Sequence, residues 1–221
     1  GQFNWAIHAL FGPKERVNSP GKQPVNEKGW PQWTAEQVTA EYLQEQFGNG
    51  EVRNVGCVVR RPHVVIDLDS KPNKGVSVRE WLDQQPEIQN VPRERTGGGA
   101  HLHFVCPDLP IFLNPRGKRY NKALTKQLNE EVGAELFFDG LNIVLAPSKH
   151  PNGHTYYWEV AGVIPVVTWE QLQAWFGFEA PAERKEEPKR KPGRPPKEVR
   201  WWWLILHQPH TRGPPRSPRD V

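Results

Sequence analysis

Val64-Val65-Ile66-Asp67-Leu68-Asp69-Ser70 is an apolar run that ends in two carboxylates spaced two residues apart. Val, Val and Ile in succession favour a buried strand. Residues i and i+2 of a strand share a face, roughly 6.6 Å apart. Asp67 and Asp69 therefore project together while Leu68 turns back into the core. Two like charges at the end of an apolar strand are unfavourable unless a cation holds them. A pair of Mg²⁺ or Mn²⁺ ions about 3.5–4 Å apart does so in phosphoryl-transfer sites. The alternative is a strand end carrying two solvated acids.

Two later segments bear on that choice. Thr96-Gly97-Gly98-Gly99-Ala100-His101-Leu102-His103-Phe104-Val105 joins a glycine turn to a strand. The backbone N–H groups around Gly98 and Gly99 offer an anion-binding concavity. On the strand, His101 and His103 share one face, and Leu102, Phe104 and Cys106 share the other. An imidazole directly after such a turn is placed to contact a triphosphate; the alternative is a flexible hairpin followed by two half-exposed histidines. Further on, Ala134-Glu135-Leu136-Phe137-Phe138-Asp139-Gly140 precedes a second apolar run, Leu141 to Ala146, and then Pro147-Ser148. Asp139-Gly140 predicts a β-hairpin between the two runs, and Glu135 offers a third carboxylate.

Taken in order, these segments resemble the archaeo-eukaryotic primase superfamily, most closely its bifunctional primase–polymerase domain. The family's acid-x-acid pair is matched by Asp67-Leu68-Asp69, and its small-x-His motif after glycines by Gly99-Ala100-His101. Its later acid leading to a Pro-Ser segment is matched by Glu135 and Pro147-Ser148. Gly21-Lys22-Gln23-Pro24 with Gly29-Trp30, Asn54-Val55-Gly56, and Gly153 to Trp158 resemble three further family segments, so the likeness covers about residues 3–178. Glu135 stands where Asp is more usual, and Ala146 where the commoner motif has a first Pro. The resemblance implies an α+β domain with a catalytic sheet like that of an RNA-recognition motif, joined to an N-terminal α/β unit. It also implies template-dependent transfer of nucleotides from (d)NTPs to a primer or a first nucleotide, on a single-stranded DNA template. Asp67, Asp69 and Glu135 would hold two Mg²⁺ or Mn²⁺ ions. Gly98, Gly99, His101, Ser148, Lys149 and His150 would bind the incoming nucleotide. Plasmid and phage relatives often carry a helicase downstream, which implies a replication role with a helicase as partner.

The outer limits come from composition. The 221 residues fit one domain with a tail, and 23 prolines with 19 glycines indicate long irregular segments. No stretch approaches the ~20 apolar residues of a membrane-spanning helix, and the first residues lack a signal-peptide pattern. Cys57 and Cys106 lie in apolar runs and read as buried thiols of a reduced, intracellular protein. The absence of Met and the Gly start point to a piece of a longer product.

Charge is placed unevenly. Residues 183–200 carry eight Lys/Arg against four Glu, and residues 201–221 three Arg against one Asp; residues 1–182 are left at −2 within a total of +4. The basic character thus belongs to the tail. Residues 1–178 form the catalytic domain, 179–200 a basic Pro-rich linker, and 201–221 a terminal segment containing Trp201-Trp202-Trp203. Within the linker, Lys189, Arg190, Lys191, Arg194 and Lys197 surround a Gly-Arg-Pro core that resembles an AT-hook, suited to the electronegative A·T minor groove. A basic linker that holds DNA without sequence preference is the plainer reading. In the body, Arg93, Arg95, Arg116, Lys118, Arg119, Lys122 and Lys126 are candidates for a basic groove.

The pattern predicts strands near 52–60, 63–69, 101–106, 134–138, 141–146 and 155–160. Helices are predicted from the Thr34 capping box through Phe47, over 77–85, over 122–131 and over 168–176. Two other functional classes remain open. His101-Leu102-His103 is also the His-hydrophobe-His pattern of rolling-circle nicking endonucleases, where both histidines bind one metal and a tyrosine attacks DNA. A catalytically inert DNA-binding module is the third.

Overall fold

The computed structural model describes residues 5–26, 28–70, 78–114 and 118–181. The elements are β1 (Ala6–Leu10), α1 (Ala40–Phe47), β2 (Asn54–Val58), β3 (His63–Ser70), α2 (Val78–Asp83), β4 (Arg93–Arg95), β5 (Gly99–Val105), β6 (Leu124–Gln127), β7 (Val132–Phe137), β8 (Asn142–Leu145), β9 (Tyr157–Val160) and α3 (Trp169–Phe176). They build a six-stranded sheet of order β6-β7-β3-β5-β4-β9 and a three-stranded sheet of order β1-β2-β8. Every pairing between these strands is antiparallel. With its few helices this is an α+β fold, as the pattern predicts.

β3 is continuously apolar because both of its faces are covered. Val64, Ile66 and Leu68 pack with Leu102 and Phe104 of β5 and Leu136 of β7 beneath α2 and α3, which contribute Trp81, Leu82, Leu172 and Phe176. Each fully buried Leu, Ile or Phe stabilises by about 1.5–3 kcal/mol, so this layer fixes β3 at the centre. On the opposite face, Val65 and Phe137 meet Cys57, Val59, Ile143 and Leu145 around the smaller sheet. The smaller sheet draws β8 from late in the chain, so the second layer is not purely N-terminal. α3 is delimited as its sequence suggests: Thr168 and Gln171 form a capping box, and Gly177 ends the helix at φ 66°. Burial pushes the Cys57 thiol up to about 12, in keeping with an unreactive core cysteine. Among the described residues, no helix is long and apolar enough to cross a membrane.

Three expectations are corrected. The Thr34 capping box forms, but it opens only a 3-10 turn, Ala35–Gln37. Val38 leaves helical geometry, and α1 begins at Ala40, where the Thr39 hydroxyl accepts from the Tyr42 N–H at 3.1 Å. Two cap-forming threonines compete, and the second starts the helix. Residues 122–131 are not helical. Leu124–Gln127 is an edge strand paired with β7, and the Asn129 side chain turns the chain by accepting from the Glu131 and Val132 N–H groups, each at 2.8 Å. The Leu124/Leu128 spacing imitates a helix, but the open edge of β7 supplies a ladder of backbone partners.

Asp139-Gly140 does make a tight turn, with φ 36° and 91° and the Leu141 N–H on the Phe138 carbonyl at 3.0 Å. It is not a hairpin, because β7 pairs with β3 and β6 while β8 pairs with β2. The Gly140 N–H instead donates to the Val59 carbonyl, and the Val59 N–H to that of Leu141, both at 2.8 Å. Arg61 Nε holds Asp139 Oδ2 at 2.8 Å. The turn is a corner that carries the chain from one sheet to the other, and a cleft lies beside it.

Candidate active site

Antiparallel register places one row of side chains across the large sheet. Asp67 stands opposite Glu135 on one side and His101 on the other; His101 faces Glu94, and Glu135 faces Thr125. Asp69, two residues along, is flanked by Gly99 and Gly133, so no neighbouring side chain crowds it. Glycine is required at position 99: a Cβ there would sit 1.6 Å from the Leu68 carbonyl oxygen. Asp67, Asp69, His101, Thr125 and Glu135 open into a cleft of about 760 Å³, whose far wall is Asn142, Ile143 and Val144 of the smaller sheet. Lys22, reaching in from the 12–33 loop, together with Gly98, His150 and Tyr156, completes the lining.

Asp69 and Glu135 have a raised proton affinity. Burial first, then the Asp67 charge, lifts the Asp69 carboxyl above its usual range, with Lys22 opposing. Glu135 is raised by burial and then by Asp67 and Asp69, again against Lys22. Asp67 Oδ1 is buried without a hydrogen-bond partner, 3.6 Å from His101 Nε2. Hard oxygen donors that repel one another, one of them orphaned, fit Mg²⁺ or Mn²⁺. Among the described residues no three His, Cys, Asp or Glu side chains close around a point. The carboxylates therefore line an open site rather than a finished cage. Mg²⁺ tolerates this, since it commonly binds one or two carboxylates and takes substrate phosphates as further ligands.

The two histidines have different surroundings. The His101 side chain is 6% exposed and lines the cleft. Burial opposes its charge, but Asp67 and Glu94 outweigh burial and push its pKa up to about 10. His103 is fully buried on the same face, packed among Trp5, His63 and Trp158, and does not line the cleft. Burial lowers its pKa, and burial followed by the His103 charge lowers that of His63 to about 3. Glu94 is fully buried between the pair. Burial would raise its carboxyl, but the hydrogen bond from His101 and the nearby His103 imidazole lower it to about 2.

The remaining expected nucleotide ligands divide. Gly98 and His150 line the cleft. The glycine turn is largely self-satisfied, because the Thr96 hydroxyl accepts from the Gly98 and Gly99 N–H groups at 3.4 and 2.9 Å. Ser148 is buried, its hydroxyl accepting from the Val55 N–H at 2.8 Å, so it ties the 146–150 loop to β2. The Lys149 backbone is clamped by the Asn54 side chain at 2.9 and 2.8 Å, and its side chain lines a neighbouring hollow with Lys14 and Arg53. Of the candidate groove, Arg93 and Arg95 are paired with Glu159, and Arg119 lies 3.6 Å from Asp139. Lys126 lines the cleft and reaches Glu179 at 2.9 Å, while Lys118 and Lys122 are exposed. Arg116, Lys189, Arg190, Lys191, Arg194, Lys197 and the 201–221 segment lie outside the described residues.

Glu94 and Tyr156 were not expected at the site. Glu94 is hidden in an Arg-Glu-Arg triplet that reads as surface charge; only its pairing with β5 reveals that it faces His101. Tyr156 is buried, its ring centroid 5.9 Å from that of His101.

No curated protein matches the chain. Residues 1–175, which hold the nine strands found among the described residues and the cleft carboxylates Asp67, Asp69 and Glu135, match the family described as the N-terminal domain of bifunctional DNA primase/polymerase. The chain belongs to the bifunctional DNA primase/polymerase family, represented here by its N-terminal domain.

Proposed function

We propose that the protein is a template-dependent nucleotidyltransferase that joins (d)NTPs to a primer end or a first nucleotide in plasmid or phage DNA replication. The observation that carries this reading is the register that seats Asp67 between Glu135 and His101, with Asp69 beside them at the mouth of the cleft. Two Mg²⁺ or Mn²⁺ ions held by Asp67, Asp69 and Glu135 would supply activation of the attacking hydroxyl and neutralisation of the triphosphate. The chain's own groups do the positioning. His101 presents Nε2 beside Asp67, where a protonated ring donates to a phosphate oxygen. Lys22 and His150 line the same cleft and act on the Asp69 charge, and Tyr156 walls it. Positioning and charge stabilisation are the main demands of this chemistry.

The two-histidine metal site of a nicking endonuclease is not favoured, because His103 turns into the interior against Trp5 and Trp158. The linker residues Lys189, Arg190, Lys191, Arg194 and Lys197 would bind DNA phosphates, and a helicase is the expected replication partner. The test is an unprimed single-stranded template incubated with labelled nucleotides and Mg²⁺ or Mn²⁺, with product length read on a gel. Short oligonucleotides built from the template are the expected product. A covalent protein–DNA adduct without synthesis would refute the assignment.

A further inference from the structure

We propose that Glu94 is the positioning residue of this site: its buried carboxylate fixes which nitrogen of His101 faces the cleft and holds the loop that delivers His150. The inference rests on the assignment of His101 to the nucleotide phosphates. Glu94 is fully buried in a three-residue strand, where a β-branched residue would serve the sheet better. Burying a carboxylate costs several kcal/mol unless hydrogen bonds satisfy it, so its place there calls for partners, and it has two, with a second imidazole close by. Oε1 accepts from the Ala146 N–H at 2.7 Å. Oε2 lies 3.4 Å from His101 Nδ1 and 3.4 Å from His103 Nε2, the latter off-line for a hydrogen bond.

An ionised carboxylate only accepts, so in either charge state His101 must turn an Nδ1–H to Glu94, and Nε2 is left to face Asp67 and the cleft. Further in, His103 Nδ1 and His63 Nε2 are paired at 3.1 Å. The other carboxylate oxygen anchors Ala146, and four residues later His150 lines the cleft. One side chain thus orients the His101 imidazole and anchors the loop that carries His150, much as carboxylates behind ligating histidines do elsewhere.

The test is Glu94→Gln, which keeps shape and the acceptor for Ala146 but turns a donor toward His101 Nδ1. Long-range ¹H–¹⁵N spectra of the imidazoles should show Nδ1 of His101 protonated in the wild type and unprotonated in the variant. Affinity for a dNTP, measured with Ca²⁺ in place of the active metals, should fall roughly 10-fold or more, with template affinity unchanged. Glu94→Gln in a His101→Ala background should cost nothing further, since the residue acts through the histidine. Wild-type Nδ1 found unprotonated, an unaltered tautomer in Glu94→Gln, or fully additive losses in the double variant would overturn the proposal. The tautomer is read without turnover. A wild-type protein with the expected tautomer but no nucleotide incorporation would sink the polymerase reading and leave the positioning role standing; if Glu94→Gln fails to fold, the wild-type spectrum alone decides.

Discussion

Asp69→Asn should make the metal-free protein more stable while abolishing incorporation. Asp69 stands one strand repeat from Asp67, roughly 6.6 Å, and diagonal to Glu135, about 7–8 Å away. A unit-charge repulsion at 6.6 Å is worth ~2.5 kcal/mol at an effective dielectric of 20 and ~0.6 kcal/mol in bulk water. Asp69 is partly desolvated but keeps solvent access at the cleft mouth, and Lys22, His101 and His150 offset part of the repulsion. Solvent screening therefore favours the low end, and a net gain of about 0.5–1 kcal/mol is expected. For a domain of this size that is a rise in Tm of roughly 1–4 °C. The sign follows from the raised carboxyl of Asp69. The folded state is penalised only when that group is ionised, so the gain is present above its raised folded value. It vanishes below the ordinary value of 3.8. Calorimetry at pH 7.5 and pH 3.5, with and without Mg²⁺, resolves this. Mg²⁺ should raise the Tm of the wild type more than that of the variant. A variant that melts lower than the wild type at pH 7.5 without metal, or gains as much from Mg²⁺, would refute the shared-cation reasoning.

Three other outcomes follow from particular interactions. Gly99→Ala would drive a Cβ into the Leu68 carbonyl at 1.6 Å, forcing β3 and β5 apart at a cost of about 2–4 kcal/mol; an unchanged urea midpoint would show that the register is wrong. His63 is held neutral, its pKa lowered to about 3 from 6.5, so its contribution is complete above about pH 6.5 and is lost as pH falls toward 3. His63→Gln, which keeps a donor toward His103, should therefore show a shallower acid decline of stability by up to about 1.4 kcal/mol per pH unit, and equal slopes in urea titrations would count against it. Truncation after Phe178 should leave synthesis on a bound template intact and flatten the salt dependence of DNA binding, by about 0.9 in the log–log slope for each phosphate that the tail neutralises; an unaltered slope would show that Lys189, Arg190, Lys191, Arg194 and Lys197 do not touch DNA.

The fold was legible where patterning and burial agree. The Val64–Asp69 run gave β3, and the family resemblance grouped His101 and Glu135 with Asp67 without knowledge of the register. Failures arose where a local signal was real but a distant partner decided its use. Asp139-Gly140 turns the chain, yet Val59 claims the turn's backbone and diverts β8 to the other sheet. Leu124 and Leu128 are spaced for a helix, but the edge of β7 takes the segment as a strand. The cleft was legible in its acids because like charges beside an apolar run are costly on their own. Glu94 was not, since its meaning lies in two histidines on a neighbouring strand and in the Ala146 backbone. Ser148 and Lys149 stand in the expected segment, but the loop commits the Ser148 hydroxyl and the Lys149 backbone to β2.

The most direct measurement is primer extension by the wild type and by Asp67→Asn on one single-stranded template, with Mg²⁺ or Mn²⁺ and matched thermal melts. Asp67 lies at the centre of the row, between Glu135 and His101, and its replacement leaves size and packing unchanged. Template-directed extension by the wild type, and a loss of roughly 10³-fold or more in a folded Asp67→Asn protein, is the result expected. Comparable extension by both proteins would contradict an active site built on this carboxylate.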